Sequence, residues 1–175
     1  MNNKVKKLII PGIILLLILI IGVLALLNKD TFEQKAQLNN DAIFTVLENG
    51  IEVKTYTMEA ITKLGETTFK ANLKSSGKDA VEYEYSGVLL KTILIDAGVS
   101  FDNKDSAIVS AIDGYVVALS IDKLLDDTNV YLAYKKMGEL IESREEGGDG
   151  PYQMIISKDK FSQYWCKYAY SIDVQ

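Results

Sequence analysis

The sequence contains no histidine, one cysteine and a single arginine, Arg144. Without histidine, the chain lacks the side chain that most often acts as a general base and as a transition-metal ligand. A Ser-His-Asp or Cys-His catalytic site therefore cannot be assembled from this chain alone. The single cysteine, Cys166, permits neither an internal disulfide nor a thiolate cluster. We expect the folded part to be held together by packing, with Cys166 as a small hydrophobic residue in the last strand.

Positive charge is also scarce after the first 27 residues. Removing Lys4, Lys6 and Lys7 from the count leaves 16 basic residues against 24 acidic ones, so residues 28–175 carry a net charge near −8. Binding to nucleic acid needs a basic face that neutralises phosphates. We therefore predict no nucleic-acid partner.

One long apolar segment is present near the N-terminus. Residues 8–27, which read LIIPGIILLLILIIGVLALL, contain no charge and are long enough as a helix to span about 30 Å of hydrocarbon. Lysines precede this segment, so the positive-inside rule predicts a cytoplasmic segment 1–7 and a single-pass anchor at 8–27 in the bilayer of the cell membrane. A cleaved signal peptide and a buried soluble helix are the alternatives, although no small-x-small cleavage site follows the segment.

The remaining chain divides into a polar stalk or short helical spacer at 28–42 and an extracytoplasmic domain at 43–175. A β-hairpin is predicted around Asn49-Gly50, a short helix capped by Thr57, and a helix that ends at Gly98. Strands are predicted on both sides of a turn at 75–79 and on both sides of Asp113-Gly114. Many short strands with a few short helices indicate an α+β fold.

An acidic, glycine-rich segment, EEGGDG, occupies residues 145–150. It lacks the alternating ligands and the closing glutamate of an EF-hand-type calcium loop. Its carboxylates would also repel a phosphorylated ligand. We interpret it as a structural turn; the rim of a ligand pocket and a cation site are the alternatives.

Five short motifs occur in an order that resembles the molybdopterin-binding domain of the sulfite oxidase family. In chain order they read GVLLKTILIDAGV, SAIDGY, YLAYKKMGEL, GDGPYQMII and WCKYAYSIDV. The similarity covers about residues 43 to 174. It implies a sulfite-oxidase-type fold of mixed short strands and a few short helices, following the N-terminal transmembrane helix. It also implies a molybdopterin cofactor.

The sequence departs from this family at the residues that the resemblance makes important. The metal-binding cysteine is expected upstream of the first motif, but residues 66–87 contain none. Gln153 stands where the family commonly has an arginine near the cofactor, and a glutamine cannot form the charged, forked contact of an arginine. Only Lys167 matches a lysine that lies close to the pterin. We therefore expect no cofactor and no metal, and molybdopterin enters only through the resemblance.

Two functions from different classes follow. The first is a membrane-anchored binding module without molybdenum chemistry, which binds a small molecule or an envelope protein through Tyr115, Tyr152, Trp165 and Lys167. It has no catalytic residues. The second is a molybdopterin-dependent oxidoreductase with an atypical metal site. A purely structural or regulatory domain is a third reading. The missing cysteine and histidines favour the binding module.

The charge asymmetry around residues 8–27 predicts the orientation of the chain in the membrane. Protease added to intact cells that produce the chain should digest residues 28–175 and leave the lysine-containing N-terminus protected. The fragments are identified by antibodies against the two ends, and cells opened with detergent provide the control for accessibility. A C-terminal domain that is protected in intact cells would contradict the orientation.

Overall fold

The computed structural model describes residues 3–74, 77 and 79–175, but not the side chains of residues 3–9 and 27–36. The chain forms two compact units, Met1–Lys35 and Ala36–Gln175. Four sequence predictions lie partly outside the described residues: the cytoplasmic segment 1–7, the side chains at both ends of the anchor 8–27, the side chains of the stalk up to residue 36, and the turn at 75–79.

The first helix, α1, extends over Asn3–Asn40 and includes the predicted anchor and residues 28–40 of the predicted stalk. Large apolar side chains between Ile10 and Leu26 are 44 to 74% exposed. Within the part of the chain that the structure describes, no helix combines the length and the apolar character needed to cross a membrane.

Five strands form the first sheet, in the order β2-β1-β10-β5-β6. Their bounds are β1 Phe44–Glu48, β2 Ile51–Tyr56, β5 Ser106–Ala111, β6 Val116–Ser120 and β10 Ala169–Val174. The pairing of β1 with β10 is parallel, and the other pairs are antiparallel. The predicted hairpin at Asn49-Gly50 is confirmed, because both residues have positive φ angles, 52° and 78°.

The second sheet has the order β3-β4-β7-β8, and β9 also pairs with β7. Its strands are β3 Thr67–Leu73, β4 Val81–Leu89, β7 Val130–Lys136, β8 Glu139–Leu140 and β9 Gln153–Ile156. All of its pairs are antiparallel. The second half of β7 pairs with β8 and its first half with β9, so that β7 is the central strand of this sheet.

Among the described residues, three further α-helices and one 3-10 helix connect the strands. They are α2 Met58–Thr62, α3 Leu90–Ala97, α4 Ile121–Leu125 and the 3-10 helix Ser162–Tyr164. The predicted cap of α2 is confirmed, since the Thr57 hydroxyl accepts a hydrogen bond from the Ala60 amide. Gly98 ends α3 in the left-handed conformation, as predicted.

Both sheets contribute to one hydrophobic core. Side chains alternate between buried and less buried positions along β5 and β6, which is typical of strands with one solvated face. In β9 every residue is buried, and so are the first five residues of β7. The structure therefore has the predicted mixture of many short strands and a few short helices.

The prediction that Cys166 belongs to the last strand is wrong. The Cys166 backbone pairs with Met154 of β9, through N···O distances of 2.8 and 3.0 Å. Strand β10 begins only at Ala169, because Tyr168 adopts a positive φ of 55° that interrupts the extended chain. The chain thereby leaves the second sheet and enters the first.

Residues 145–150 form a turn, as predicted, and Glu145 and Glu146 within it also line a pocket, which was the alternative. Ser143 and Gly150 form an isolated β-bridge that closes the segment. Inside it, the Glu146 carboxylate accepts hydrogen bonds from the amide and the hydroxyl of Ser143, at 3.0 and 2.8 Å. These contacts hold the acidic segment against its own backbone.

Gly87, which begins the first family-like motif, lies where β4 and β7 approach each other closely. The pairing register shifts between Ser86 and Gly87, as in a β-bulge. A Cβ atom at position 87 would lie 2.3 Å from the Leu132 carbonyl oxygen and 2.6 Å from the Ala133 Cα. Both atoms belong to the backbone of the central strand, so any side chain would force the two strands apart.

We predict that Gly87→Ala lowers the free energy of unfolding by about 2 to 3 kcal/mol, because the methyl group overpacks the β4–β7 contact. Urea unfolding followed by circular dichroism measures the change. The matched control is Gly98→Asn, whose position is open and left-handed; it should cost less than about 1 kcal/mol. Equal stability of Gly87→Ala and the unmodified chain would contradict the close approach.

Candidate functional site

A cleft opens between the end of β3, the β5–β6 turn and the chain that precedes β10. Its volume is about 410 Å³, within the range of roughly 300 to 1,000 Å³ that is usual for small-molecule pockets. We refer to it as the cleft, and the residues that line it are Leu73, Lys74, Asp113, Tyr115, Gln153, Ser162, Gln163, Trp165 and Lys167.

The cleft brings together three of the four predicted ligand-binding residues, namely Tyr115, Trp165 and Lys167. Tyr152 is not among its lining residues. The Tyr152 side chain is fully buried, its ring lies edge-on to Phe44 at 5.8 Å, and its hydroxyl donates to the Ala42 carbonyl oxygen at 2.9 Å. Neighbouring residues of an extended chain point to opposite faces, so Gln153 faces the cleft instead.

Tyr115 forms the outer rim and is held in place by two hydrogen bonds. Its hydroxyl donates to the Gln163 carbonyl oxygen at 2.8 Å, and its amide donates to the Asp113 carboxylate at 3.0 Å. The side chain is 42% exposed. The tight Asp-Gly turn thus places an aromatic ring at the mouth of the cleft, as the sequence predicted.

Trp165 contributes a wall to the cleft, but only 5% of its surface is exposed. Its ring lies edge-on to Tyr85 at 5.8 Å, and its indole N–H donates to the Ile156 carbonyl oxygen at 3.3 Å. The indole therefore has little free surface for stacking, and much of its role is to fill the core behind the cleft.

Gln153 is the polar residue at the base of the cleft. It is only 3% exposed, and its side-chain amide finds no hydrogen-bond partner among the described residues. The amide is therefore free to form hydrogen bonds with a ligand in the cleft. The sequence marked this position only as a missing arginine and did not select it as a site residue.

Ser162 and Lys74 are two further lining residues that the sequence did not predict. The Ser162 hydroxyl donates to the Lys74 carbonyl oxygen at 2.8 Å and accepts from its amide at 3.0 Å. This pair fixes the end of β3 to the 3-10 helix. Residues so distant in the chain carry no sequence signal for such a contact.

The charges around the cleft nearly balance. Lys74, Lys167 and Asp113 all line it, and the Lys167 ammonium pairs with Asp149 at 2.9 Å. The Lys74 ammonium lies over the Phe161 ring, 5.2 Å from its centre. A phosphate dianion would have to compete with Asp149 for Lys167, and no arginine lines the cleft to offer a forked contact.

The residues of the cleft do not fit a thiolate-bound molybdenum. Its lining includes no cysteine or histidine, and Leu73 and Lys74 occupy the segment where the resemblance implies the metal-binding cysteine. Cys166 is fully buried, and burial raises the pKa of its thiol to about 12, which keeps it protonated at neutral pH. Among the described residues, no group of three or more His, Cys, Asp or Glu side chains is arranged to hold a metal ion.

Comparison with known proteins identifies the family. The family model described as "Oxidoreductase molybdopterin binding domain" matches residues 43–175, which is more than half of the chain. None of the curated proteins matches the sequence.

Among solved structures, the chain is similar to the sulfane dehydrogenase SoxCD from Paracoccus pantotrophus, with a TM-score of 0.59 and 20% sequence identity. The match covers 75% of this chain and 38% of that one. At this identity the similarity concerns the fold alone. Together with the family match over residues 43–175, it confirms the predicted resemblance: this chain belongs to the family of the oxidoreductase molybdopterin-binding domain.

Proposed function

We propose that the chain is a membrane-anchored, extracytoplasmic binding module that uses the cleft without molybdenum redox chemistry. One observation carries this proposal: the cleft has no thiolate or imidazole, and the only cysteine of the chain is buried as a neutral thiol. A fold supports many functions, and the chemistry of a site depends on the side chains it presents. Here those side chains suit hydrogen bonding rather than metal coordination.

The anchoring part of the proposal rests on residues 8–27. These residues carry no charge, lysines precede them, and the large apolar side chains from Ile10 to Leu26 are exposed along α1. An apolar helix surface of this extent is stable where lipid covers it. Anchoring would keep residues 36–175 at the outer surface of the cell membrane.

The ligand we propose for the cleft is a small polar molecule that is neutral or carries a single negative charge. Its hydrogen-bonding edge would pair with the free amide of Gln153, and its body would lie between Tyr115 and the wall formed by Trp165. Lys167 would contribute weakly because it is already paired with Asp149. An envelope protein is the other class of partner, and the concave shape of the cleft favours the small molecule.

Metal and pterin content tests this function. The full-length chain, purified from membranes of a host that makes molybdenum cofactor, should contain far less than one equivalent of molybdenum or pterin. Elemental analysis and native mass spectrometry measure both. A family member that has the metal-binding cysteine, produced in the same host, is the positive control. One molybdenum per chain would contradict the proposal and support an oxidoreductase with an atypical metal site.

The buried state of Cys166 makes a second prediction. At pH 8 a thiol with a pKa of about 12 is almost entirely protonated, so the folded chain should react slowly with a disulfide reagent such as Ellman's reagent. Unfolding in guanidinium exposes the thiol and should raise the rate by orders of magnitude. Cys166→Ala, which should show no reaction in either state, is the control. Rapid stoichiometric labelling of the folded chain would mean that the thiol is available as a ligand.

A further inference from the structure

A second pocket in the unit Ala36–Gln175 shares no lining residue with the cleft. It lies between the end of α1, the start of α2 and the segment that follows β7, and its volume is about 480 Å³. We call it the Asn39 pocket, and the residues that define it are Asn39, Met58, Ile141, Glu142, Glu145 and Glu146.

Asn39 is the unusual member of this set. It is 3% exposed, and neither its amide nitrogen nor its amide oxygen has a hydrogen-bond partner among the described residues. Buried polar side chains are nearly always paired, because an unpaired donor or acceptor loses its hydration without compensation. Asn39 also lines the pocket, and a ligand that reached its amide would supply the missing partners.

The pocket is strongly acidic. None of its three glutamates forms an ion pair with a described residue. Glu146 accepts hydrogen bonds from the amide and hydroxyl of Ser143, which hold the pKa of its carboxyl below the usual range, so it is ionised at neutral pH. Glu145 accepts a hydrogen bond from the side chain of Asn40 at 2.9 Å, which holds its carboxylate in place.

The other walls are apolar. Met58, Ile141 and Pro151 face the same space as the carboxylates. A ligand for this pocket therefore needs a positive charge for the glutamates and a hydrocarbon body for the walls. It also needs both a donor and an acceptor for the amide of Asn39.

We propose that the Asn39 pocket binds a small organic ammonium ion that also carries a neutral oxygen acceptor. The ammonium N–H groups would donate to the carboxylates and to the Asn39 amide oxygen, and the neutral oxygen would accept from the Asn39 amide nitrogen. An anionic acceptor such as a carboxylate or phosphate would be repelled by the glutamates. A metal ion is a poorer match, since no three acidic side chains of the described residues are arranged to hold one.

Calorimetric titration of the full-length chain in non-ionic detergent tests this site with defined probes. We expect 4-amino-1-butanol to bind, and 1,4-butanediol, which lacks the ammonium, to bind at least about tenfold more weakly. Butylammonium, which lacks the oxygen, should have intermediate affinity. Calcium chloride is the probe for a cation site. Binding of the diol as tightly as the amine, or binding of calcium alone, would overturn the proposal.

Variants locate the binding. Glu145→Gln keeps the contact with Asn40 but removes the charge, and Asn39→Leu removes both amide groups at similar volume. Each variant should lower the affinity for 4-amino-1-butanol at least about tenfold. Asn39→Leu should also raise the melting temperature of the ligand-free chain, because it removes an unsatisfied buried amide. The matched control is Glu139→Gln, which removes an exposed carboxylate from the neighbouring strand β8 and should leave binding unchanged.

Unchanged affinity in both pocket variants would overturn the proposal. A second outcome would also overturn it: a lower melting temperature for Asn39→Leu together with unchanged affinity of Glu145→Gln for 4-amino-1-butanol. Asn39 would then have a purely structural role. The molybdenum content of the cleft is measured separately, and the two pockets share no lining residue, so failure of one proposal leaves the other intact.

Discussion

The backbone pairing of Cys166 with Met154 is the contact on which the arrangement of this domain depends. Through it, the chain adds to the second sheet just before it enters the first sheet as β10, with the turn made at Tyr168. Because β10 lies between β1 and β5, this short connection links the two sheets through their hydrogen bonds. The core between the sheets and the cleft at their edge both depend on it.

The same segment also determines the chemistry of the cleft. Trp165 and Lys167 line the cleft, while Cys166, the residue between them, is turned into the core. Alternation along an extended chain thus places the indole and the ammonium group at the cleft and the only thiol in the core. The fold of a molybdopterin-binding family is therefore present with a cleft lined by amide, hydroxyl, ammonium, carboxylate and aromatic groups, without a thiol.

Several features follow from local sequence because the physical cause acts within a few residues. Asn49-Gly50 tolerates positive φ angles and makes the hairpin, Thr57 caps α2, and Asp113-Gly114 turns the chain so that Tyr115 reaches the mouth of the cleft. Five ordered motifs are enough to identify the family that the match over residues 43–175 confirms. The absence of histidine already excludes imidazole chemistry in any arrangement of the chain.

Tertiary structure decided which side chains face the cleft and which are buried in the core. Tyr152 and Gln153 are adjacent, and only the pairing of β9 with β7 determines that the ring is buried while the amide faces the cleft. The burial of Trp165 against Tyr85 and the contact of Ser162 with Lys74 both join residues far apart in the chain. Local propensity carries no information about such contacts. The sequence by itself determined the family, the turns and the excluded chemistries, whereas the surface of the cleft depends on sheet register and packing, which exist only in the folded chain.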